Sequence, residues 1–453
     1  MKILIVGVGK IGSTLLSGLV SEGHDVVAID SSAVVLEQVA NVYDVMSLCG
    51  NGADSDVLEE AGARDADLFI AVTGSDEFNM LACFLAKRMG AKYTVARIRT
   101  PEYNDTSLDF MRKNLELDFA INPERLSAHD VLNILKFPSA VKIESFTRRQ
   151  FEMIEIRLRD DSALSGMTLA ELRAKYDAKV LVSCVGRGEE VFIPDGSFAL
   201  KAKDKIGIIA PPQEVQKFLR ELGVLKKRSR NVMIVGGGSI SRYLAASLLS
   251  IGASVKIIEK DEERAAALCE ALPKAVVICG DGANQELLLE EGLDKMDAFV
   301  ALTGMDEENI LLSIFATGHG VEKTVAKVNR DEFIALAEKL GVDTVISPKR
   351  AVSDVLVSYV RALNNSLGSQ VEMLYKLMDE KVEALEFKVA SGAHLCDVPL
   401  KDLPLKKGVL IAGIVRERRG IAPTGETTIL AGDRVVVIAP ADLHFNDLED
   451  ILR

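Results

Sequence analysis

The chain says one thing twice. Residues 1–15, MKILIVGVGKIGSTL, return at 231–244 as NVMIVGGGSISRYL, so that Gly7 answers Gly236, Gly9 answers Gly238 and Asp30 answers Glu259. In each copy the acid lies 23 positions after the first glycine. A lone glycine-rich loop carries little information, because turns collect glycine for steric reasons; a loop and an acid duplicated at one spacing carry far more. The echo runs on. CGNGAD at 49–54 recurs as CGDGAN at 279–284, DLFIAVTGSDEFN at 67–79 as DAFVALTGMDEEN at 297–309, and TVAR at 94–97 as TVAK at 324–327, at offsets of 229 to 230. INPERL at 121–126 matches ISPKRA at 346–351, and IPDG near Pro194 matches APTG near Pro423. Each half thus has a longer first part and a shorter second part, and both halves must take the same fold.

In the longer parts, short apolar runs alternate with helical ones. Strands are expected near 2–6, 25–29, 43–48, 67–72 and 93–98 with helices between them, the pattern of a parallel sheet covered by helices. The first strand runs into Gly7, Gly9 and Gly12, and a helix over 11–21 follows. In such loops the first glycine makes the tight turn, the second lets backbone approach a pyrophosphate, and the third lets helix pack on strand. Phosphate then faces a helix N-terminus, where unpaired N–H groups and the helix dipole favour anions. The expected class is α/β: two tandem Rossmann-like, doubly wound parallel-sheet domains at 1–138 and 230–366, each followed by a small α+β module, at 139–225 and 367–453. The small modules read as strand, helix, hairpin-like strands, a last strand (KIGIIAPP or RVVVIAPA) and a final helix.

Two nucleotide pockets are expected from this duplication. Asp30 and Glu259 end their second strands, where a carboxylate can accept ribose hydroxyls; the rival reading is an acid that caps the following helix. No arginine follows Asp30, so a 2′-phosphate is not expected there, whereas Lys260 follows Glu259. Thr73 and Gly74, with Thr303 and Gly304, end the fourth strands on the carboxyl edge, where ligands of open sheets lie. Arg97 and Lys327 close the fifth strands and could neutralise phosphate from the far side, the rival being a salt bridge to Asp76 or Asp306. In the second copy Ser241 replaces the third glycine, so its helix is expected to stand farther from the sheet and its pocket to be the poorer one. Leu126, Val131, Leu132 and Leu135 form one apolar stripe and Val352, Val355, Leu356 and Val360 another, on helices over 124–136 and 349–363. Such stripes close a core or dock on a neighbouring subunit.

A net charge of -13 argues against a nucleic-acid binder, which needs a concentrated basic face. The basic run KKRSR at 226–230 reads as a solvated linker between the repeats. Six cysteines show no metal-ligand spacing, and no metal site is expected. Cys49 and Cys279, each before a glycine, are expected to be small, buried, reduced thiols of a cytoplasmic protein. The start resembles an export leader, but the same pattern recurs deep in the chain, so it reads as a first strand. No apolar run nears the ~18–20 residues of a membrane span, so any membrane role would go through a partner. An NAD-dependent dehydrogenase would need a proton-transfer residue beside the nicotinamide. The histidines, His24, His129, His319, His394 and His444, do not recur at matched positions, so no catalytic residue and no enzyme are expected. A dehydrogenase and a scaffold with empty pockets are the rival readings.

Through these motifs, the TGSDEFN and TGMDEEN segments above all, the whole chain resembles the TrkA family of cytosolic regulatory subunits of Trk-type potassium uptake systems. Members carry regulator-of-potassium-conductance (RCK) domains, each a nucleotide lobe followed by a small C-terminal lobe. The resemblance implies nucleotide contacts at Gly7, Val8, Gly9, Lys10, Ile11, Asp30, Thr73, Gly74 and Arg97. A second set is implied at Gly236, Gly237, Gly238, Ser239, Ile240, Glu259, Thr303, Gly304 and Lys327. It further implies NAD(H), ATP or ADP as regulatory ligands and a potassium channel or transporter subunit of the TrkH, TrkG or KtrB type as partner. Through that partner the chain would sit on the inner face of the membrane, as a homotetramer whose ring holds eight RCK domains. A regulator of another cation transporter would share this architecture.

Overall fold

The computed structural model describes residues 1–100, 105–136, 142–146, 150–188, 190–223, 229–365, 371–378, 381–390, 392–417, 419–443, 445 and 447–453. The first long part is a six-stranded parallel sheet: β1 (Lys2–Val6), β2 (Asp25–Asp30), β3 (Met46–Cys49), β4 (Leu68–Ala71), β5 (Tyr93–Arg97) and β6 (Phe119–Ile121). Its spatial order is β3-β2-β1-β4-β5-β6, so the order reverses between β1 and β4. Between the strands run α1 (Lys10–Ser21), α2 (Ala33–Ala40), α3 (Ser55–Glu60), α4 (Asp76–Met89) and α5 (Asp105–Asn114), and α6 (Pro123–Lys136) follows β6. After Lys2 the strand, ILIV, is apolar throughout because helices cover both faces of the sheet. Ile3 and Ile5 enter the core that holds α1, and Leu4 and Val6 enter the opposite core with α3 and α4.

A small module follows: β7 (Lys142–Phe146), β8 (Phe151–Arg157), α7 (Leu169–Lys175), β9 (Leu181–Arg187), β10 (Glu190–Phe192), β11 (Lys205–Ala210) and α8 (Pro212–Glu221). Its sheet is antiparallel, ordered β10-β9-β11-β8-β7. The second half repeats the plan with β12 (Asn231–Val235), α9 (Ser239–Ser250), β13 (Ser254–Glu259), α10 (Glu262–Ala271), β14 (Val276–Cys279) and α11 (Gln285–Glu290). It continues through β15 (Ala298–Ala301), α12 (Asp306–Gly318), β16 (Lys323–Lys327), α13 (Asp331–Lys339), β17 (Thr344–Ile346) and α14 (Pro348–Asn365). The sheet order β14-β13-β12-β15-β16-β17 is that of the first repeat. The second small module comprises β18 (Val371–Leu377), β19 (Val382–Lys388), β20 (Leu410–Arg416), β21 (Arg419–Ile421) and β22 (Arg434–Pro440).

Three expectations need correction. The second small module does not end in an α-helix: Asp447 caps a single 3₁₀ turn over Leu448–Ile451, and the backbone beyond it pairs with the 404–406 segment instead. Cys49 and Cys279 are exposed, because β3 and β14 are edge strands; both thiols are free. The basic run at 226–230 lies outside the described residues except for its end, which is anchored and not a free linker. Ser229 is buried with its N–H on the Leu135 carbonyl, and the Arg230 N–H donates to the Asp297 carboxylate at 2.8 Å.

The two apolar stripes do not close their own domains. Val131, Leu132 and Leu135 of α6 are buried among Val232, Ile234, Leu244 and Leu248 of the second repeat, while Val352, Leu356, Val357 and Val360 of α14 join the core of the first. The halves therefore exchange helices, α6 lying on α9 and α14 on α1. The second exchange is tight, since a Cβ at Gly18 would stand 3.2 Å from Val357. Burying four aliphatic side chains of α14 contributes on the order of 6–12 kcal/mol as an upper estimate, which fixes the two repeats as one unit. The antiparallel sheets also meet face to face: Phe151, Met153 and Ile209 share a core with Leu377, Val436 and Ile438.

One buried ion cluster ties three parts together. Arg361, near the end of α14, places its Nε 2.6 Å from Glu22 at the end of α1, and Nη1 and Nη2 each 3.3 Å from Glu383 on β19. Nη2 also donates to Glu22. All three side chains are at most 14% exposed.

Candidate functional site

The loop after β1 has the torsions its glycines were expected to supply. Gly7 has φ 90° and Gly236 φ 94°, a region that side chains rarely enter, and a Cβ on either would meet backbone of the 72–73 or 302–303 turn within about 3 Å. A Cβ at Gly12 would stand 2.0 Å from the Gly7 carbonyl oxygen. Ser241, in the equivalent place, turns its Oγ into a donor to the Gly236 carbonyl instead. The loop is otherwise preserved, with φ −69°, ψ −161° at Gly9 and φ −70°, ψ −177° at Gly238. A Cβ at Gly9, Gly238, Gly74 or Gly304 would meet no atom of the chain within 4 Å.

Both α1 and α9 start without a side-chain cap and without an acid in the first turn. Each leaves its first amides and positive dipole end to whatever lies in front. What lies in front is one cavity of about 1030 Å³, at the upper end of the size of small-molecule sites, roughly 300–1,000 Å³. The first repeat lines it with Gly7, Gly9, Lys10, Ile11, Asp30, Thr73, Gly74 and Arg97. The second contributes Gly238, Ser239, Ile240 and Lys327. Val8 lies buried behind the loop, and Gly236, Gly237, Glu259, Thr303 and Gly304 are not part of the lining.

The two acids differ for a reason of length and neighbours. Asp30 accepts the Val8 N–H at 2.7 Å and the Ser32 N–H at 2.9 Å and still borders the cavity. Each carboxylate oxygen has a second lone pair, so these bonds leave acceptor capacity for hydroxyl donors. Glu259, one methylene longer, accepts the Gly237 and Asp261 N–H groups, stands 3.5 Å from Arg264 and is 4% exposed.

Arg97 and Lys327 do not pair with Asp76 or Asp306. Those carboxylates are taken by Arg99, at 3.7 Å, and Arg330, at 3.6 Å, and by main-chain N–H groups. Arg97 instead donates to the Thr73 carbonyl, and Lys327 reaches the Leu302 carbonyl at 3.3 Å. Burial depresses the pKa of both cations, and the Arg99 charge depresses that of Arg97 further. Arg97 Nε and Glu124 Oε2 are buried with no hydrogen-bond partner. Such atoms cost about 1–3 kcal/mol each if left bare, which is how a ligand site differs from a closed core.

The repeated TGSDEFN and TGMDEEN segments serve as a frame. Asn79, fully buried, accepts from the Thr73 N–H and hydroxyl through its oxygen and donates to the Thr73 and Arg97 carbonyls through its nitrogen. Asn309 bonds the Thr303 N–H and the Thr303 and Lys327 carbonyls in the same way. Glu124, Asn51 and Lys349 also line the cavity and were not singled out from the sequence. The INPERL and ISPKRA match held the signal for two of them, since it sets Glu124 opposite Lys349. No group of His, Cys, Asp or Glu among the described residues could hold a metal ion.

Two Rossmann-like lobes with facing, uncapped loop helices, exchanged terminal helices and paired antiparallel modules define a tandem RCK-type protein. The TrkA-N domain model matches residues 3–123 and 232–348, and the TrkA-C domain model 153–223 and 384–452. The Trk system potassium uptake protein TrkA of Vibrio alginolyticus is 32% identical over 456 residues, covering 100% of this chain and 99% of that protein. A homolog in Archaeoglobus fulgidus is 33% identical over 453 residues and 100% of both chains. The chain belongs to the TrkA family of Trk system potassium uptake proteins. Its fold is similar to that in the structure of the GsuK channel bound to NAD, with a TM-score of 0.63 at 17% identity over 97% of this chain and 77% of that one.

Proposed function

We propose that this protein is the nucleotide-binding regulatory subunit of a Trk-type potassium uptake system, and that its ligand is NAD(H), ATP or ADP bound in the cavity between the repeats. The observation that carries the reading is the cavity itself, where an uncapped helix start, the Asp30 carboxylate and the Arg97 and Lys327 cations converge. Phosphate would lie on the amides of Lys10 and Ile11 beside Lys10 and Arg97, and ribose hydroxyls would donate to Asp30. Thr73 and Gly74 would border the ligand's far end. The NAD-bound GsuK neighbour supports a dinucleotide, and adenine nucleotides with free phosphates suit the same cations.

The protein acts as a switch, with a membrane subunit of the TrkH, TrkG or KtrB type as partner. Four chains would form a ring of eight RCK domains on the inner face of the membrane, each chain divided at 1–138, 139–225, 230–366 and 367–453. No described helix is long and apolar enough to cross a membrane, which suits a role through a partner. A nucleotide that binds one ring shape more tightly than another moves the population toward it, and one of equal affinity for both moves nothing. None of the four described histidines borders the cavity, which weighs against a dehydrogenase. The test is calorimetric titration with NADH, NAD, ATP and ADP while nicotinamide absorbance is followed. Binding without oxidation supports the reading; turnover with a small substrate, or no binding by any of the four, ends it.

A further inference from the structure

We infer that the chain takes one nucleotide, not two, and that the second repeat serves as the other wall of the first repeat's site. The inference rests on the nucleotide reading above and concerns how many ligands bind and which way round. A duplicated sequence predicts two equal pockets, but the duplicated loops open into one cavity. The ribose-gripping position is available once: Asp30 borders the cavity, while Glu259, with the equivalent two main-chain N–H partners, is 4% exposed and stands 3.5 Å from Arg264. No counterpart of that arginine stands after Asp30, where Val35 occupies the equivalent place. Leu268 closes the same corner, since a Cβ at Gly237 would stand 2.5 Å from its Cδ1 and 2.8 Å from Glu259 Oε2. A sugar cannot reach Glu259 without breaking several of these contacts.

The second repeat's helix start, by contrast, remains open. Gly238 and Ser239 line the same cavity as Gly7 and Lys10, and Lys327 and Lys349 stand where the first repeat has Arg97 and Glu124. The two walls of the cavity therefore offer different side chains. The Asp30 side suits the neutral, hydroxyl-rich sugar and Lys327 suits a distal phosphate or the second half of a dinucleotide, whereas the Lys349 ammonium is held by Asp331 at 2.5 Å. A single ligand would bridge the exchanged halves and tighten them together.

Calorimetry on the full chain with NADH, and separately with ATP, tests this. The expected stoichiometry is one per chain, with Lys327→Met weakening that single event roughly tenfold, while Arg264→Ala and Glu259→Gln leave stoichiometry unchanged and affinity within twofold. Should Glu259→Gln not fold, the exposed Arg264 variant reads the same group. Two equivalents per chain would overturn the shared site and leave the nucleotide reading standing. One equivalent indifferent to Lys327→Met would also overturn it. Absence of binding by either probe would sink both.

Discussion

Replacing Arg361 with methionine removes the hub of the cluster that joins α1, α14 and β19. The guanidinium makes four hydrogen bonds to Glu22 and Glu383, whose side chains are 12% and 5% exposed. Methionine fills much of the volume but leaves two carboxylates facing each other with little water, and removing one partner of a buried ion pair costs about 3–5 kcal/mol. Burial already pushes the Glu383 carboxyl above its ordinary range, with Arg361 opposing that shift, so losing the arginine pushes it higher still. The chain has no tryptophan, so urea unfolding is best followed by circular dichroism at the helical band, reading the first transition because several units need not unfold together. The expected loss is about 3–5 kcal/mol for Arg361→Met, with most of it recovered when Glu22→Gln and Glu383→Gln are added, since amides leave no buried charge. A loss under about 1 kcal/mol, or a triple variant no more stable than the single one, would refute the claim that charge burial governs this junction.

Burial, and next the N-terminal charge, hold the His24 imidazole below its ordinary 6.5; Glu22 opposes and Arg361 adds to the depression. The stability this neutral imidazole contributes is complete above about pH 6.5 and is lost as pH falls through the lower folded-state pKa, so melts should show an acid-side slope below pH 6.5 that His24→Gln flattens. Phe151→Ala should cost about 3–5 kcal/mol by opening the core shared by the small modules, and chemical denaturation would show it. Asn79→Ala should destabilise by about 2–4 kcal/mol, because it strips partners from several buried groups of β4 and β5, and should weaken nucleotide binding as Thr73 and Arg97 lose their support. Unchanged affinity in a folded Asn79→Ala protein would remove that residue from the frame of the site.

The parallel sheets were legible because apolar runs such as ILIV at 3–6 and VMIV at 232–235 suit strands covered on both faces, and because glycines at Gly7 and Gly236 mark torsions no other residue adopts cheaply. The three-residue strands β6 and β17 were not, being too short for any period to register. The stripes on α6 and α14 announced burial, yet an apolar stripe does not name its partner, so the exchange of helices between repeats had to be seen. The same limit hid that both loop helices open on one cavity. Position in the repeat made Asp30 and Glu259 look equal, and only the extra methylene, Arg264 and Leu268 separate them. The conspicuous Asp and Asn of TGSDEFN drew attention as a motif, but their work lies in holding strand ends, which spacing alone does not reveal.

A crystal structure of the chain grown with NADH tests the account most directly. It should show a ribose donating to the Asp30 carboxylate, the pyrophosphate on the Lys10 and Ile11 amides, and Lys327 of the second repeat facing the same molecule. Density for NADH on Glu259, or a ligand-free cavity at concentrations where calorimetry records binding, would contradict it.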